Sequence, residues 1–270
     1  MAIEHGIRLG AYTSAAARGA RAVPDLFKWV YLGPEFCENL LETAVCAELV
    51  RFQKLGKSVC LLTPLLTDKG AASLAAIFKE LARLLKAGRL DAGRLEITIN
   101  DFGALQLAAR AKLPVKLGAG RQFAYNVFEQ NSGSLSVLSR RALDFFLERG
   151  VRRYEISAAG AMPRTNFSRS GCGFEPEGFA FTLHYPYLNL TTTRTCLVGL
   201  RDIQPRDSVR GIACGRECRA CAFKVDHPWV KEKLLIRGNT VFMEFPGKFY
   251  SSEKELELLR VDRLVYCPLP

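Results

Sequence analysis

The chain has 270 residues, 49% of them hydrophobic and 24% charged, and a formal net charge of +11; this is enough length for one barrel-sized domain with a full core, and nothing in the composition calls for disorder. Its apolar runs are short, and the start Met1-Ala2-Ile3-Glu4-His5 has no basic region followed by an apolar one, so neither a membrane span nor an export signal is expected. The basic balance fits a solvated surface, a nucleic acid, an anionic small molecule or an acidic protein subunit, and no recognised helix-turn-helix or RNA-binding signature chooses among them.

Short β-branched segments alternate with helical ones along most of the chain. Strands are expected at Ile7–Tyr12, Lys28–Leu32, Ser58–Thr63, Leu95–Ile99, Val115–Leu117, Arg153–Ser157 and Phe179–His184. Between Cys37 and Leu55 the apolar residues Leu40, Leu41, Ala44, Val45, Leu49 and Phe52 paint one face of a helix, and Ala71–Leu85, Phe102–Ala111 and Ser134–Arg149 read the same way. Gly56 and Gly150 stand where helix C-caps belong. Alternation of this kind predicts a parallel sheet, and the number of units favours an α/β, TIM-barrel-like single domain over 1–270.

The regularity fails after Tyr185. Residues 186–229 are rich in Thr, Arg, Gly, Pro and Cys and predict an irregular, cysteine-rich loop region; so long a loop in a compact domain is functional or stapled by something. A terminal β-hairpin is expected around Arg237-Gly238-Asn239-Thr240, then a short helix over Glu253–Arg260 and a last strand over Val261–Tyr266.

The chemistry-bearing residues are the cysteines. Cys196, Cys214, Cys218 and Cys221, with the isolated Cys37, read as thiolate ligands for a buried metal or cluster, because the run from Cys214 to Cys221 is polar and offers no apolar stripe for small hydrophobes to complete. The spacing Cys214-x3-Cys218-x2-Cys221 equals that of radical SAM enzymes, but there it follows the first barrel strand; a four-thiolate zinc site is the other rival. Nine cysteines without an export signal fit a reducing cytoplasm. Cys172, between two glycines, reads as an exposed thiol or reserve ligand, and Cys46, Cys60 and Cys267 as small core residues.

Among other polar residues, His184 at a strand end is the histidine candidate for a site. Asp101 is either a barrel-mouth group or the cap of the helix from Phe102. Arg121, Tyr125 and Asn126, after the Gly118-Ala119-Gly120 turn, are candidates for an anionic or polar substrate. No Ser-His-Asp order, His-Glu-x-x-His or Walker motif is present, so conventional hydrolysis has no visible apparatus.

These segments resemble the collagenase-like peptidase family of barrel proteins, and within it the cluster-bearing subunit of oxygen-independent ubiquinone hydroxylation. Trp29-Val30-Tyr31-Leu32-Gly33-Pro34-Glu35-Phe36-Cys37 is similar to a strand followed by a lone cysteine. Asn100-Asp101-Phe102-Gly103, Ala111-Lys112-Leu113-Pro114-Val115 and Leu117-Gly118-Ala119-Gly120 resemble an Asp-x-Gly helix and the strand after it. Thr193-Arg194-Thr195-Cys196 stands in the place of a second cysteine, Cys214 and Cys218 match a closing pair, and Leu264-Val265-Tyr266 resembles a final strand. The stretch from Cys196 to Cys214 is longer than in that subunit, and Tyr185-Pro186-Tyr187 stands where the family has His-Gly. The resemblance implies that Cys37, Cys196, Cys214 and Cys218 ligate a 4Fe-4S cluster, with Cys221 in reserve. It further implies a quinone precursor or other small molecule as substrate and a related barrel subunit as heterodimeric partner. Hydroxylation of an RNA nucleobase, or a non-catalytic electron-transfer or assembly role, are the other activities it allows.

Overall fold

A computed structural model describes residues 2–10, 23–131, 133–159, 164–167, 178–194, 196, 198–199, 214–245, 250 and 252–269. In chain order the strands are β1 (Glu4–Arg8), β2 (Trp29–Leu32), β3 (Ser58–Leu62), β4 (Leu95–Ile99), β5 (Lys116–Ala119), β6 (Phe128–Asn131), β7 (Ser134–Val137), β8 (Arg153–Ser157), β9 (Arg164–Thr165), β10 (Ala180–Tyr185), β11 (Tyr187–Thr192), β12 (Phe223–His227), β13 (Val230–Arg237), β14 (Thr240–Glu244) and β15 (Val261–Tyr266). The helices are α1 (Val45–Lys54), α2 (Asp68–Lys86), α3 (Phe102–Ala111), α4 (Arg121–Ala124), α5 (Arg140–Leu147) and α6 (Glu253–Leu258).

Eight strands close into a parallel barrel in the order β1-β15-β10-β8-β5-β4-β3-β2. The period-2 alternation of a strand sends its two sets of side chains to two different cores. Val30, Leu32, Val59, Leu61, Leu95, Ile97, Ile99, Ile156 and Leu183 join the apolar layer between barrel and helices, where Leu74, Ile77, Phe78, Leu81 and Leu84 of α2 meet them from one helical face. The alternate positions Trp29, Tyr31, Cys60, Leu62, Val265 and Cys267 pack inside the barrel. Among the described residues no helix is long and apolar enough to cross a membrane.

Local chemistry sets the element ends. Ser139 and Ser252 cap α5 and α6 through backbone N–H groups of Ala142 and Glu255 at 3.2 and 3.3 Å. Gly56 and Gly150 take the left-handed conformation, φ +82° and +75°, as the two expected C-caps require.

Three expectations are corrected. The helix expected from Cys37 starts at Val45, after a single 3-10 turn over Glu38–Leu40. Glu38 is drawn away to accept from Thr67 N and Oγ1 at 2.6 and 2.7 Å, so tertiary bonding overrides the apolar periodicity. The helix expected over Ser134–Arg149 is instead strand β7 followed by α5. Asn131 accepts from Gly133 N at 3.0 Å and turns the chain into the β6–β7 hairpin. The region 186–229 is not loop throughout, since β11 and β12 pair into an antiparallel sheet of order β11-β14-β13-β12, with the expected hairpin as its centre. Cys172 and residues 200–213 lie outside the described residues.

Candidate functional site

The loop after β2 organises the carboxyl-terminal mouth of the barrel, the end at which such barrels do their chemistry. Three consecutive residues of it face three ways. Glu35, fully buried, takes a bidentate pair from Arg121 at 2.8 and 2.7 Å and an ion pair from Arg8 at 3.4 Å. Phe36 lies under both guanidiniums, 5.1 Å from Arg8 and 5.0 Å from Arg121, and packs edge-on against Phe242 at 5.2 Å. Cys37 then points into a second cluster with Leu40, Cys196, Val198, Cys218, Cys221 and Ile236.

That cluster assembles cysteines from distant parts of the chain. Asn239, in the β13–β14 turn and buried, donates to Phe36 O at 2.7 Å and to Thr193 O at 2.6 Å, tying the arm of Cys37 to the arm of Cys196. Glu42 joins the third arm, accepting from Arg219 Nη2 at 2.8 Å and from Arg216 Nη1. Burial works to raise the Glu42 carboxyl, but the bonds and charges of Arg219 and Arg216 outweigh it and hold the group below its ordinary value.

Two of the sulfurs already accept backbone hydrogen bonds. The N–H of Gly199 points at Cys196 Sγ from 3.3 Å, and the N–H of Asn39 bonds Cys37. Burial and the neighbouring thiols Cys214 and Cys196 push Cys37 up to about 11. Burial, Cys196, Cys37 and Cys214 push Cys218 up to about 12. These charge effects put Cys37, Cys196, Cys214 and Cys218 within electrostatic reach of one another, with Cys218 buried and Cys214 exposed. Cys221 is employed otherwise, its thiol donating to Glu217 O at 3.3 Å. Among the described residues no three His, Cys, Asp or Glu side chains close on a point that a single metal ion could fill.

Below this corner, the barrel lumen is a hydrogen-bonded polar core. Glu155 Oε2 meets His184 Nε2, Glu155 Oε1 accepts from Thr98 Oγ1 at 2.9 Å, and Thr98 Oγ1 lies 3.2 Å from Cys60 Sγ. Arg121 also donates to Ser157 Oγ at 3.0 Å, and Ser157 donates to Asn189 at 3.0 Å. Deeper in the lumen, Arg263 binds Glu96 at 2.7 Å, Tyr31 Oη at 2.9 Å and Glu4 at 3.0 Å. Apart from Arg121, which opens α4 after β5, and Asn189 on β11 of the antiparallel sheet, these groups stand on barrel strands, so strand register places them.

The expected site residues separate under this geometry. Arg121 and His184 stand in the lumen network. Asp101 is a structural cap: its carboxylate accepts from Ala104 N at 2.7 Å and from Leu66 N at 2.6 Å. Asn126 is exposed and bonds Phe123 O at 3.2 Å, closing α4 rather than facing the mouth. Asn100 is buried, donating to Thr63 O at 2.7 Å and accepting from Gln122 N at 3.0 Å. A Cβ on Gly120 would collide with the Asn100 side-chain amide, which is why glycine stands there. Sequence reasoning missed Arg8, Glu35 and Glu155; Cys60 and Cys267 lie in the core, as expected, and there touch Thr98 and His184. A charged residue inside a buried strand pattern is the signal that identifies Arg8 and Glu155.

Two cavities lie away from the mouth. One of about 650 Å³ opens at the amino-terminal end, between Lys116, Arg152, Arg153, Phe179 and Arg260. The other, about 860 Å³, runs along α3 past Phe102, Leu105, Leu113 and Phe145.

No family model and no curated protein matches the chain. Among solved structures, an N-acetylglucosaminidase of glycoside hydrolase family 18 from Paenibacillus barengoltzii is similar at 12% identity over 88% of this chain and 76% of that one, with a TM-score of 0.31. A likeness this slight carries no argument about activity.

Proposed function

We propose that the chain is a 4Fe-4S protein in which Cys37, Cys196, Cys214 and Cys218 are the ligands, acting as a subunit of an oxygen-independent hydroxylase on a quinone precursor. The observation that supports the cluster reading is the convergence of these four thiols from distant parts of the chain, close enough for their charges to interact. The donor set is right in kind and number for a cubane, and the N–H groups of Asn39 and Gly199 aimed at sulfur are of the kind that tune cluster potentials.

Such a cluster supplies one-electron chemistry when bound. The residues around it have separate tasks: Asn239 and Glu42 hold the three cysteine arms together, and Phe36 separates them from the lumen. Arg121 and Arg8, compensated by Glu35, keep the mouth electropositive for an anionic or polar substrate. The quinone precursor and a related barrel subunit as partner come from the family resemblance.

Anaerobically purified protein is expected to be brown and to hold about four irons and four sulfides per chain. Colourless protein with stoichiometric zinc overturns the cluster reading. Anaerobic cells lacking the chain are expected to accumulate an unhydroxylated quinone precursor, and normal quinone in such cells overturns the substrate assignment while leaving the cluster standing.

A further inference from the structure

Cys267 directly follows β15 at the barrel mouth, and its Sγ lies 3.6 Å from Nδ1 of His184; the two are 1% and 0% exposed. On the other side of the ring, Nε2 meets the carboxylate of Glu155, whose second oxygen is fixed by Thr98. A thiol on one imidazole nitrogen and a carboxylate on the other is the arrangement in which an oriented histidine takes a proton from a nucleophile. The surroundings agree: burial works against a thiolate at Cys267, but the hydrogen bond and charge of His184, with Arg121 and Arg8, bring the thiol below its ordinary value.

A second observation points to a ligand. Arg8, at the end of β1, is 1% exposed, and its Nε and Nη1 have no hydrogen-bond partner among the described residues. Among the described residues its Nη2 pairs with Glu35 at 3.4 Å and the plane of the group lies over Phe36. Leaving guanidinium N–H groups buried and unmet is costly, and their planar fork matches a carboxylate.

We propose that Cys267 is a nucleophile at the barrel mouth for a small electrophile bearing a carboxylate, with His184 as its proton acceptor, Glu155 orienting His184, and the open N–H groups of Arg8 holding the carboxylate. With an aldehyde acid the step is an addition. The Sγ–C bond forms as the carbonyl π bond breaks, and the oxygen takes the proton that His184 received from the thiol. The product is a hemithioacetal; nothing is oxidised and no group leaves. The proposal is independent of the cysteine cluster.

Iodoacetate and iodoacetamide, with labelling mapped to each cysteine by peptide mass spectrometry, test it on the intact protein. At an ordinary thiolate the neutral reagent is the faster. At Cys267 the anionic reagent is expected to lead by about tenfold, because two guanidiniums attract it, and glyoxylate is expected to protect this position selectively. His184→Gln is expected to slow both reagents there about tenfold, and R8Q to remove the preference by slowing iodoacetate more than iodoacetamide. Cys267 that stays unlabelled in the folded protein but reacts in urea overturns the proposal, as does a faster reaction with iodoacetamide. The reagent comparison on the unmodified protein needs no variant to fold.

Discussion

The barrel lumen and the cysteine corner are joined by the single segment Glu35-Phe36-Cys37, yet they hold their polar groups by different means. In the lumen, residues two apart on successive strands arrive at fixed heights, and charge meets counter-charge: Glu35 with Arg121, Glu96 with Arg263, Glu155 with His184. In the corner, three arms of irregular backbone bring together thiols that repel one another as they ionise, and a few clamps at Asn239 and Glu42 hold them in place. Apart from groups such as the open N–H groups of Arg8, the charges of the lumen come with their partners built in. On the proposed reading, a set of facing thiols whose ionised forms compete is a ligand set for a positive centre, because metal binding both removes the protons and repays the ordering of the loops.

The largest expected effect breaks the corner alone. Cys37→Ala, C196A, C214A and C218A are each expected to abolish iron binding, and Cys221→Ala to retain it, as read by iron analysis and visible absorption. Loss of the cluster in C221A with retention in C37A would move the ligand set to the closing Cys214-x3-Cys218-x2-Cys221 motif. Protease sensitivity between Cys196 and Cys214 is expected to rise with each loss of iron, since the cluster contributes the ordering energy.

Breaking the lumen has the next largest effect. Glu35→Gln removes the charge shared by Arg121 and Arg8 and leaves two guanidiniums buried without it. A loss of roughly 3–5 kcal/mol is expected by chemical denaturation. A loss under about 1 kcal/mol would show that the two arginines find other compensation.

Asn239→Ala acts on the link between the regions. It loses two bonds, to the buried Phe36 O and the half-buried Thr193 O, at a cost of roughly 1–3 kcal/mol. Because those carbonyls flank the arms of Cys37 and Cys196, the variant is also expected to lose iron faster to a chelator. Unchanged iron release would mean the cluster, not the clamp, holds the arms.

The same contrast accounts for what the sequence disclosed. Strands β4 and β8 and helix α3 were legible to the residue because their patterns are local: five-residue buried runs, and an Asp101 cap at the start of an amphipathic stretch. The cysteine set was legible as a motif, since soft donors spaced along a polar run have no core to fill. The lumen network was not. Glu155 and Cys267 lie 112 positions apart, as the numbering gives, and Arg8 and Glu35 sit in runs that read as ordinary strand and turn. Only closure of the barrel brings them together. Ser134–Val137 failed for a nearer reason, because the Asn131 turn outweighed a helical period.

The smallest effect expected concerns pH, and it sharpens the comparison by treating the lumen as a titrating unit. At His184, burial lowers the pKa but the carboxylate of Glu155 more than offsets it, so the folded value is raised. That stabilisation is fully present below the unfolded value of about 6.5 and is lost as pH rises through the folded one. Cys267 is depressed, so its contribution is present above the unfolded value of about 8.5 and is lost as pH falls through the folded one. The two contributions change with pH in opposite directions, so in the unmodified protein they offset one another. C267A removes the compensating member. Its stability is expected to fall with rising pH more steeply than that of the unmodified protein, with Glu155 and Arg121 still facing His184. Parallel pH profiles for the two proteins, measured by urea denaturation, would show that Cys267 and His184 do not share a proton.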